Sequence, residues 1–216
     1  MFENRRTAGL ELAKHLKDYH GEDVVILAVP RGGALVASAI REKLGCQWDL
    51  IIPRKLGAPF NREIAIGAVT QDGTLLLDEE MIKYLNVSRE YIEKEKKAQI
   101  EEIKRRMKLY MGDREPVPIK GKRVILVDDG IATGFTIKAA IKSIQKAGAT
   151  EIVIAVPVAP SDVVEDLLEV VDRVVCLESP YPFYAVGMFY EDFHETSDSE
   201  VIELFTEQTG QKEDRP

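Results

Sequence analysis

Asp128 and Asp129 stand side by side where an apolar run, Val124-Ile125-Leu126-Val127, gives way to Gly130-Ile131-Ala132-Thr133-Gly134-Phe135-Thr136. Adjacent carboxylates accept hydrogen bonds from hydroxyls or help hold a cation, but they repel a phosphate. The stretch after them has the opposite preference. Its glycines let the backbone approach a ligand closely, and Thr133 and Thr136 add hydroxyls. The apolar spacing of Ile137-Lys138-Ala139-Ala140-Ile141-Lys142-Ser143-Ile144 predicts a helix opening directly behind it. A helix N-terminus offers free N–H groups and the positive end of a dipole, which suits a phosphate. The acids must then face another part of the ligand, such as hydroxyls or a bound cation.

Two basic clusters follow strand-like runs elsewhere in the chain. Val24 to Val29 ends at Pro30-Arg31-Gly32-Gly33, ahead of a predicted helix from Ala34 to Leu44. Trp48 to Pro53 ends at Arg54-Lys55-Leu56-Gly57-Ala58-Pro59. Alone, the first reads as an ordinary tight βα turn and the second as a solvated basic turn. Beside the Asp128 stretch they gain meaning. Paired glycines bring backbone amides close to an anion, and an arginine adds a fork of donors matched to phosphate. Three βα turns, two basic and one acidic, would open on one edge of a parallel sheet. Such an edge could bind an anionic sugar diphosphate with a bridging cation.

The elements that must position these residues follow from the hydrophobic pattern. Continuous apolar runs at 24–29, 124–127 and Glu151 to Pro157 predict strands buried on both faces, as in a parallel sheet covered by helices. Helices are expected over Arg5 to Tyr19, closed by Gly21, over Ser161 to Glu169 and over Ser199 to Phe205, with a short strand at Val174 to Leu177. Ile64 to Val69 and Gly73 to Leu77 read as a hairpin turning at Gln71-Asp72-Gly73. Phe60 to Glu63, just before it, is expected to be mobile. Asp78 to Met111 is highly charged and reads as one long helix or two broken near Asn86, with Pro116 and Pro118 leading back to the core. Glu178 to Tyr190 is unusually aromatic, and Thr209 onward is expected to form a polar, frayed tail.

Composition narrows the function classes. In 216 residues, 45% hydrophobic and 31% charged, one soluble domain is expected. The formal net charge of −8 argues against broad nucleic-acid binding, though not against a locally basic site. Cys46 and Cys176 lack metal-ligand spacing and read as reduced thiols. His15, His20 and His194 form no ligand set. No signal peptide or bilayer-length apolar run is recognised, so a cytoplasmic protein without membrane partners is expected. Walker, Gly-x-Gly-x-x-Gly and Gly-x-Ser-x-Gly patterns are absent, which disfavours triphosphate hydrolysis, a dinucleotide site and a serine nucleophile.

Asp128-Asp129-Gly130-Ile131-Ala132-Thr133-Gly134-Phe135-Thr136 resembles the phosphoribosyl-pyrophosphate (PRPP) motif of type I phosphoribosyltransferases. The resemblance implies a central parallel sheet flanked by helices, with a small C-terminal hood at about 177–208. The helical insertion at about 78–115 departs from the family pattern. It further implies 5-phosphoribosyl transfer from PRPP to a nitrogenous base with release of pyrophosphate, in nucleotide salvage, with Mg²⁺ carried on PRPP. Asp128 and Asp129 would hold the ribose hydroxyls, and Ile131 through Thr136 the 5′-phosphate. Arg31, Gly32, Gly33, Arg54 and Lys55 would hold pyrophosphate, with a non-proline cis peptide at Arg31–Gly32. Phe183 or Tyr184, with Val186 and Gly187, would sandwich the base, and Glu191 and Asp192 would approach the metal. Arg105, Arg106 and Tyr110 are candidates for the element that closes over PRPP. Ala132 stands where many 6-oxopurine enzymes carry an acid, which tilts the reading away from hypoxanthine and guanine without choosing among other bases. A homodimer is expected. Two other readings stay open: a PRPP-binding regulator without turnover, and a sugar-phosphate site for another metabolite.

Overall fold

The computed structural model describes residues 1–21 and 23–206. The tail expected from Thr209 onward lies outside the described residues. The chain runs α1 (Arg5–His15), β1 (Val24–Ala28), α2 (Gly32–Leu44), β2 (Gln47–Leu50), β3 (Arg54–Gly57), β4 (Ala65–Val69) and β5 (Leu75–Leu77). It continues through α3 (Glu79–Tyr84), α4 (Arg89–Met111), β6 (Arg123–Val127), α5 (Phe135–Lys146), β7 (Glu151–Val158), α6 (Ser161–Leu168) and β8 (Arg173–Glu178). A 3₁₀ turn at Val186–Phe189 and α7 (Asp198–Thr206) complete it.

Five strands form a parallel sheet in the order β2-β1-β6-β7-β8. Alternate residues of the apolar runs serve opposite faces. Val24, Ile26, Ala28, Ile125 and Val127 pack with residues of α1 and α2, such as Leu12, Val36 and Ile40. Val25, Leu27, Val124 and Leu126 pack with Ile137, Ile141 and Ile144 of α5 and Val163 and Leu167 of α6. Helices on both faces explain why these strands read as unbroken apolar runs. Chain order reverses between β1 and β6, since β1 leads outward to β2 while β6 leads the other way to β7 and β8. In open α/β sheets a ligand crevice lies at such a point, beyond the carboxyl ends of the strands.

A second, antiparallel sheet of order β3-β4-β5 stands beside the first. The turn at Gln71-Asp72-Gly73 is held by Asp72, which accepts hydrogen bonds from the Thr70 and Thr74 hydroxyls and from Ser143 of α5 at 3.0 Å. Burial alone would raise the Asp72 carboxyl. The hydrogen bonds outweigh it and hold the group well below the usual carboxylate range. One expectation is corrected here. Arg54 and Lys55 do not sit in a βα turn on the edge of the parallel sheet; they lie within β3, paired with Val69 and Ala68. No helix follows β2, and the hairpin supplies β3 with a partner, so the chain stays extended past Pro53.

Between β5 and β6 the chain forms two helices, broken where Asn86 takes a φ of 51°. Asp78 and Ser88 cap them by accepting from the Met81 and Tyr91 amides. The return to β6 is fixed by Asp49, a buried carboxylate on β2. It accepts from the Val117 amide at 2.7 Å and from Arg114 at 3.1 Å. Asp49→Ala removes the acceptor of the Val117 amide and the ion-pair partner of Arg114, and it is expected to cost about 3 kcal/mol. Urea denaturation checks this as a lower midpoint at unchanged slope.

Candidate active site

At the switch point, Ala28 pairs with Val127, so the turns after β1 and β6 leave the sheet side by side. They meet without intervening side chains. A Cβ on Gly33 would fall 2.9 Å from both the Asp128 Cα and the Val127 carbonyl oxygen, and one on Gly32 would fall 1.9 Å from Asp129 Oδ2. The two glycines thus place the Pro30–Gly33 turn directly against the acid pair. Sequence reading had grouped these turns, and the structure brings them into contact.

Asp128 is half-buried, and its Oδ1 accepts from the Asp129 amide at 2.8 Å. Desolvation, and next the charge of Asp129, push its carboxyl well above the usual carboxylate range. Asp129 is answered by a residue that the sequence did not reveal. Arg5 Nε donates to Asp129 Oδ2 at 2.7 Å, Nη1 donates to the His194 carbonyl at 2.8 Å, and the guanidinium lies 3.9 Å from the centroid of the Phe193 ring. The only trace in the sequence was a basic residue at a helix start, where it opposes the helix dipole.

Behind the acids, the Ile131 amide donates to Val158 at 2.9 Å and its side chain is buried, so that amide belongs to the fold. Gly134 takes a φ of 71° and starts α5 without a side-chain cap. The Phe135 and Thr136 amides, in the first turn, consequently lack intrahelical acceptors. Ala132 and Thr133 are exposed ahead of them. A helix start with its donors unspent is able to receive an anion.

The hood lies over the acid pair. Residues 2–3 pair with 189–192 through Phe2 N–H to Phe189 O at 2.7 Å and Glu191 N–H to Phe2 O at 2.8 Å. Tyr190 donates its hydroxyl to the Asp129 carbonyl at 2.6 Å. Burial and then the Asp129 charge raise that phenol's pKa. Val186 presses on Gly130, where a Cβ would come 2.4 Å from Val186 Cγ1, and a Cβ on Gly187 would come 2.7 Å from the Phe193 ring. Phe183 stacks on Phe189 with centroids 5.6 Å apart, while Tyr184 is 74% exposed. Of the proposed base contacts, Val186 is therefore the one placed against the acid loop.

Other candidates have partners of their own. Arg31 pairs with Glu195 and lies 3.7 Å from Asp198. Tyr110 is buried and donates to Asp198 at 2.7 Å; burial, then that carboxylate, push its phenol up to about 12. Arg105 and Arg106 remain on their own helix, both bonded to Glu102, whose carboxyl they hold down at about 2. Arg54 donates to Gln99 at 2.5 Å and Lys55 to Glu63 at 2.9 Å. The non-proline cis peptide is at Pro30–Arg31, one bond before the expected Arg31–Gly32. Arg31 already has helical dihedrals as the N-cap of α2, so its bond to Gly32 is the entry to the helix.

Among the described residues no group of three or more His, Cys, Asp or Glu is placed to hold a metal. Asp128 Oδ1 and Asp129 Oδ2 are occupied as above, and Asp192 Oδ1 accepts from the His194 amide at 3.2 Å. Such a donor set fits a magnesium ion that arrives on ligand oxygens and keeps its waters, rather than one caged by protein.

The comparisons agree with this geometry. The family model described as "Phosphoribosyl transferase domain" matches residues 8–191. A Mycobacterium tuberculosis protein named "Putative phosphoribosyl transferase Rv0571c" is 38% identical over 202 residues, 94% of this chain and 46% of its own length. Its counterpart in strain CDC 1551 matches equally. TT1426 from Thermus thermophilus, a solved structure, superposes with a TM-score of 0.81 at 39% identity, covering 95% of this chain and 98% of that one. The chain belongs to the phosphoribosyl transferase domain family. It spans about half the length of the curated relatives it matches.

Gly33→Ala places a methyl against backbone that cannot yield, and is expected to destabilise by about 1–3 kcal/mol. The same change should weaken binding of inorganic pyrophosphate. Urea denaturation and calorimetry with pyrophosphate check the two effects.

Proposed function

We propose that this chain transfers the 5-phosphoribosyl group of PRPP to the nitrogen of a base, releasing pyrophosphate. The observation that carries this reading is the contact of Gly32 and Gly33 with Asp129 and Asp128, which brings a glycine turn at the start of α2 against the acid pair that leads into α5. PRPP has the matching pattern: a 5′-phosphate, a ribose diol and a 1-diphosphate.

In this reading the α5 N-terminus takes the 5′-phosphate, and Asp128 and Asp129 accept hydrogen bonds from the ribose hydroxyls. The amides of Gly32 and Gly33 and the Arg31 guanidinium receive the diphosphate. The C1′–oxygen bond breaks with its electron pair going to pyrophosphate. The acceptor nitrogen's lone pair forms the new bond to C1′, and any proton it sheds passes to water. Magnesium on the diphosphate would neutralise charge on the leaving group. The protein's work is positioning and charge stabilisation, and the Asp129 carboxylate favours positive charge developing on the ribose. Arg31 is turned toward Glu195 and Asp198, so the diphosphate gains it by displacing carboxylates. Val186, against Gly130, supports placing the base beneath the hood. Glu191 and Asp192 have backbone roles in holding the hood to residues 2–3, and the reading does not require them at the metal.

Pyrophosphate release from PRPP and Mg²⁺, measured with a panel of nucleobases, tests the proposal. Release is expected with one base, and Asp128→Asn/Asp129→Asn should lower it on the order of 10²-fold through misplaced ribose. PRPP binding by calorimetry without release under any base would favour a regulator that binds PRPP. Absence of PRPP binding would overturn the reading.

A further inference from the structure

Arg5 is placed where it does its own helix harm. It is the first residue of α1, at the positive end of the dipole, and the first turn holds no acidic residue. The helix is instead started by Asn4, which accepts from the Thr7 amide at 2.9 Å while the Thr7 hydroxyl accepts from the Asn4 amide. The Arg5 side chain is only 7% exposed, and its one ion-pair partner among the described residues is Asp129. A buried cation at a helix N-terminus is tolerable only with its charge answered and its donors used. The fork answers the charge through Asp129 and places a second donor on the His194 carbonyl, with the guanidinium carbon over the Phe193 ring.

We infer that Arg5 is a positioning residue for the ribose end of the site. It fixes the Asp129 carboxylate beside Gly32 and ties it to the hood. This rests on the PRPP reading above. Two features call for a guanidinium here: Asp129 Oδ2 and the His194 carbonyl are bonded through different nitrogens, and the guanidinium carbon lies over the Phe193 ring. An ammonium can answer the charge but not span both acceptors.

The test compares affinities of PRPP, ribose 5-phosphate and inorganic pyrophosphate for the wild-type chain, Arg5→Gln and Arg5→Lys. Arg6→Gln, which removes the neighbouring cation paired with exposed Glu42, serves as control. Arg5→Gln is expected to weaken both ribose-bearing ligands about tenfold, within the range of coupling between contacting groups, while pyrophosphate changes less than about twofold. Arg5→Lys, which keeps the charge and protects the fold, should recover part of that loss, and Arg6→Gln should match wild type. Equal loss for all three ligands would mean that Arg5 only staples the fold, and the inference falls. Unchanged ribose 5-phosphate affinity in both Arg5 variants overturns it while leaving the PRPP reading intact. If the wild-type chain binds pyrophosphate but not PRPP, both fall together.

Discussion

Two chain reversals must touch at one point of the sheet, and the touching surfaces are glycine on one side and carboxylate on the other. Any side chain at position 33 would meet the backbone of Val127 and Asp128, and one at 32 would meet the Asp129 carboxylate. This steric exclusion requires β1 and β6 to be neighbours in matched register, with Ala28 opposite Val127. It also places the acid pair in a poorly solvated crevice, where carboxylates repel one another and the desolvated Asp128 resists ionisation. The fold meets that electrostatic cost with a cation from the first helix on Asp129 and the neighbouring amide on Asp128, while the Tyr190 hydroxyl of the hood holds the Asp129 backbone carbonyl.

The distribution of hydrogen-bond donors follows from the same constraint. Where the chain needs a donor for its own stability, one is used, as with the Ile131 amide bonded to Val158 and the Tyr190 hydroxyl bonded to Asp129. Where α5 begins, Gly134 in the left-handed region leaves the helix without a capping side chain. A serine or asparagine cap would have satisfied an orphan amide and occupied the cradle at once. Its absence at this turn is a loss of local stability at a helix start directly behind the acid pair.

What could be read beforehand was whatever rests on local pattern. Strands β1, β6 and β7 announced themselves as apolar runs because both faces of the sheet are covered. Asp72-Gly73 marked the hairpin, and Asn86 marked the break between α3 and α4, through backbone conformations that few residues adopt. Local pattern failed where distance decides. Arg54 and Lys55 gave no sign that β3 would find β4 as a partner. Arg5 and Asp129 are 124 residues apart, and Phe193 and His194 reach Arg5 from the other end of the described chain. Arg5, Phe193 and His194 all lie outside residues 8–191, so the family match does not contain them either. Tyr110 was singled out for reach over the ligand, yet its burial and its bond to Asp198 make it part of the packing between α4 and α7.

The two arginines beside the acid pair differ in the property that decides whether a charge is fixed or exchangeable. Arg5 is enclosed, with Asp129 only 17% exposed, and parting them would leave an uncompensated charge in the interior. Arg31 is a third exposed, and its partner Glu195 is 83% exposed. An ion pair so open to water contributes little, because solvent screens the attraction and the glutamate retains its freedom elsewhere. A ligand anion that offers Arg31 a bidentate, less hydrated partner therefore competes on favourable terms. The same argument separates Asp198 from Glu195. Asp198 is also bound by the buried Tyr110 hydroxyl, which holds it to the helices independently of Arg31. The guanidinium on the turn can thus change partners while the one on the helix holds the carboxylate in place.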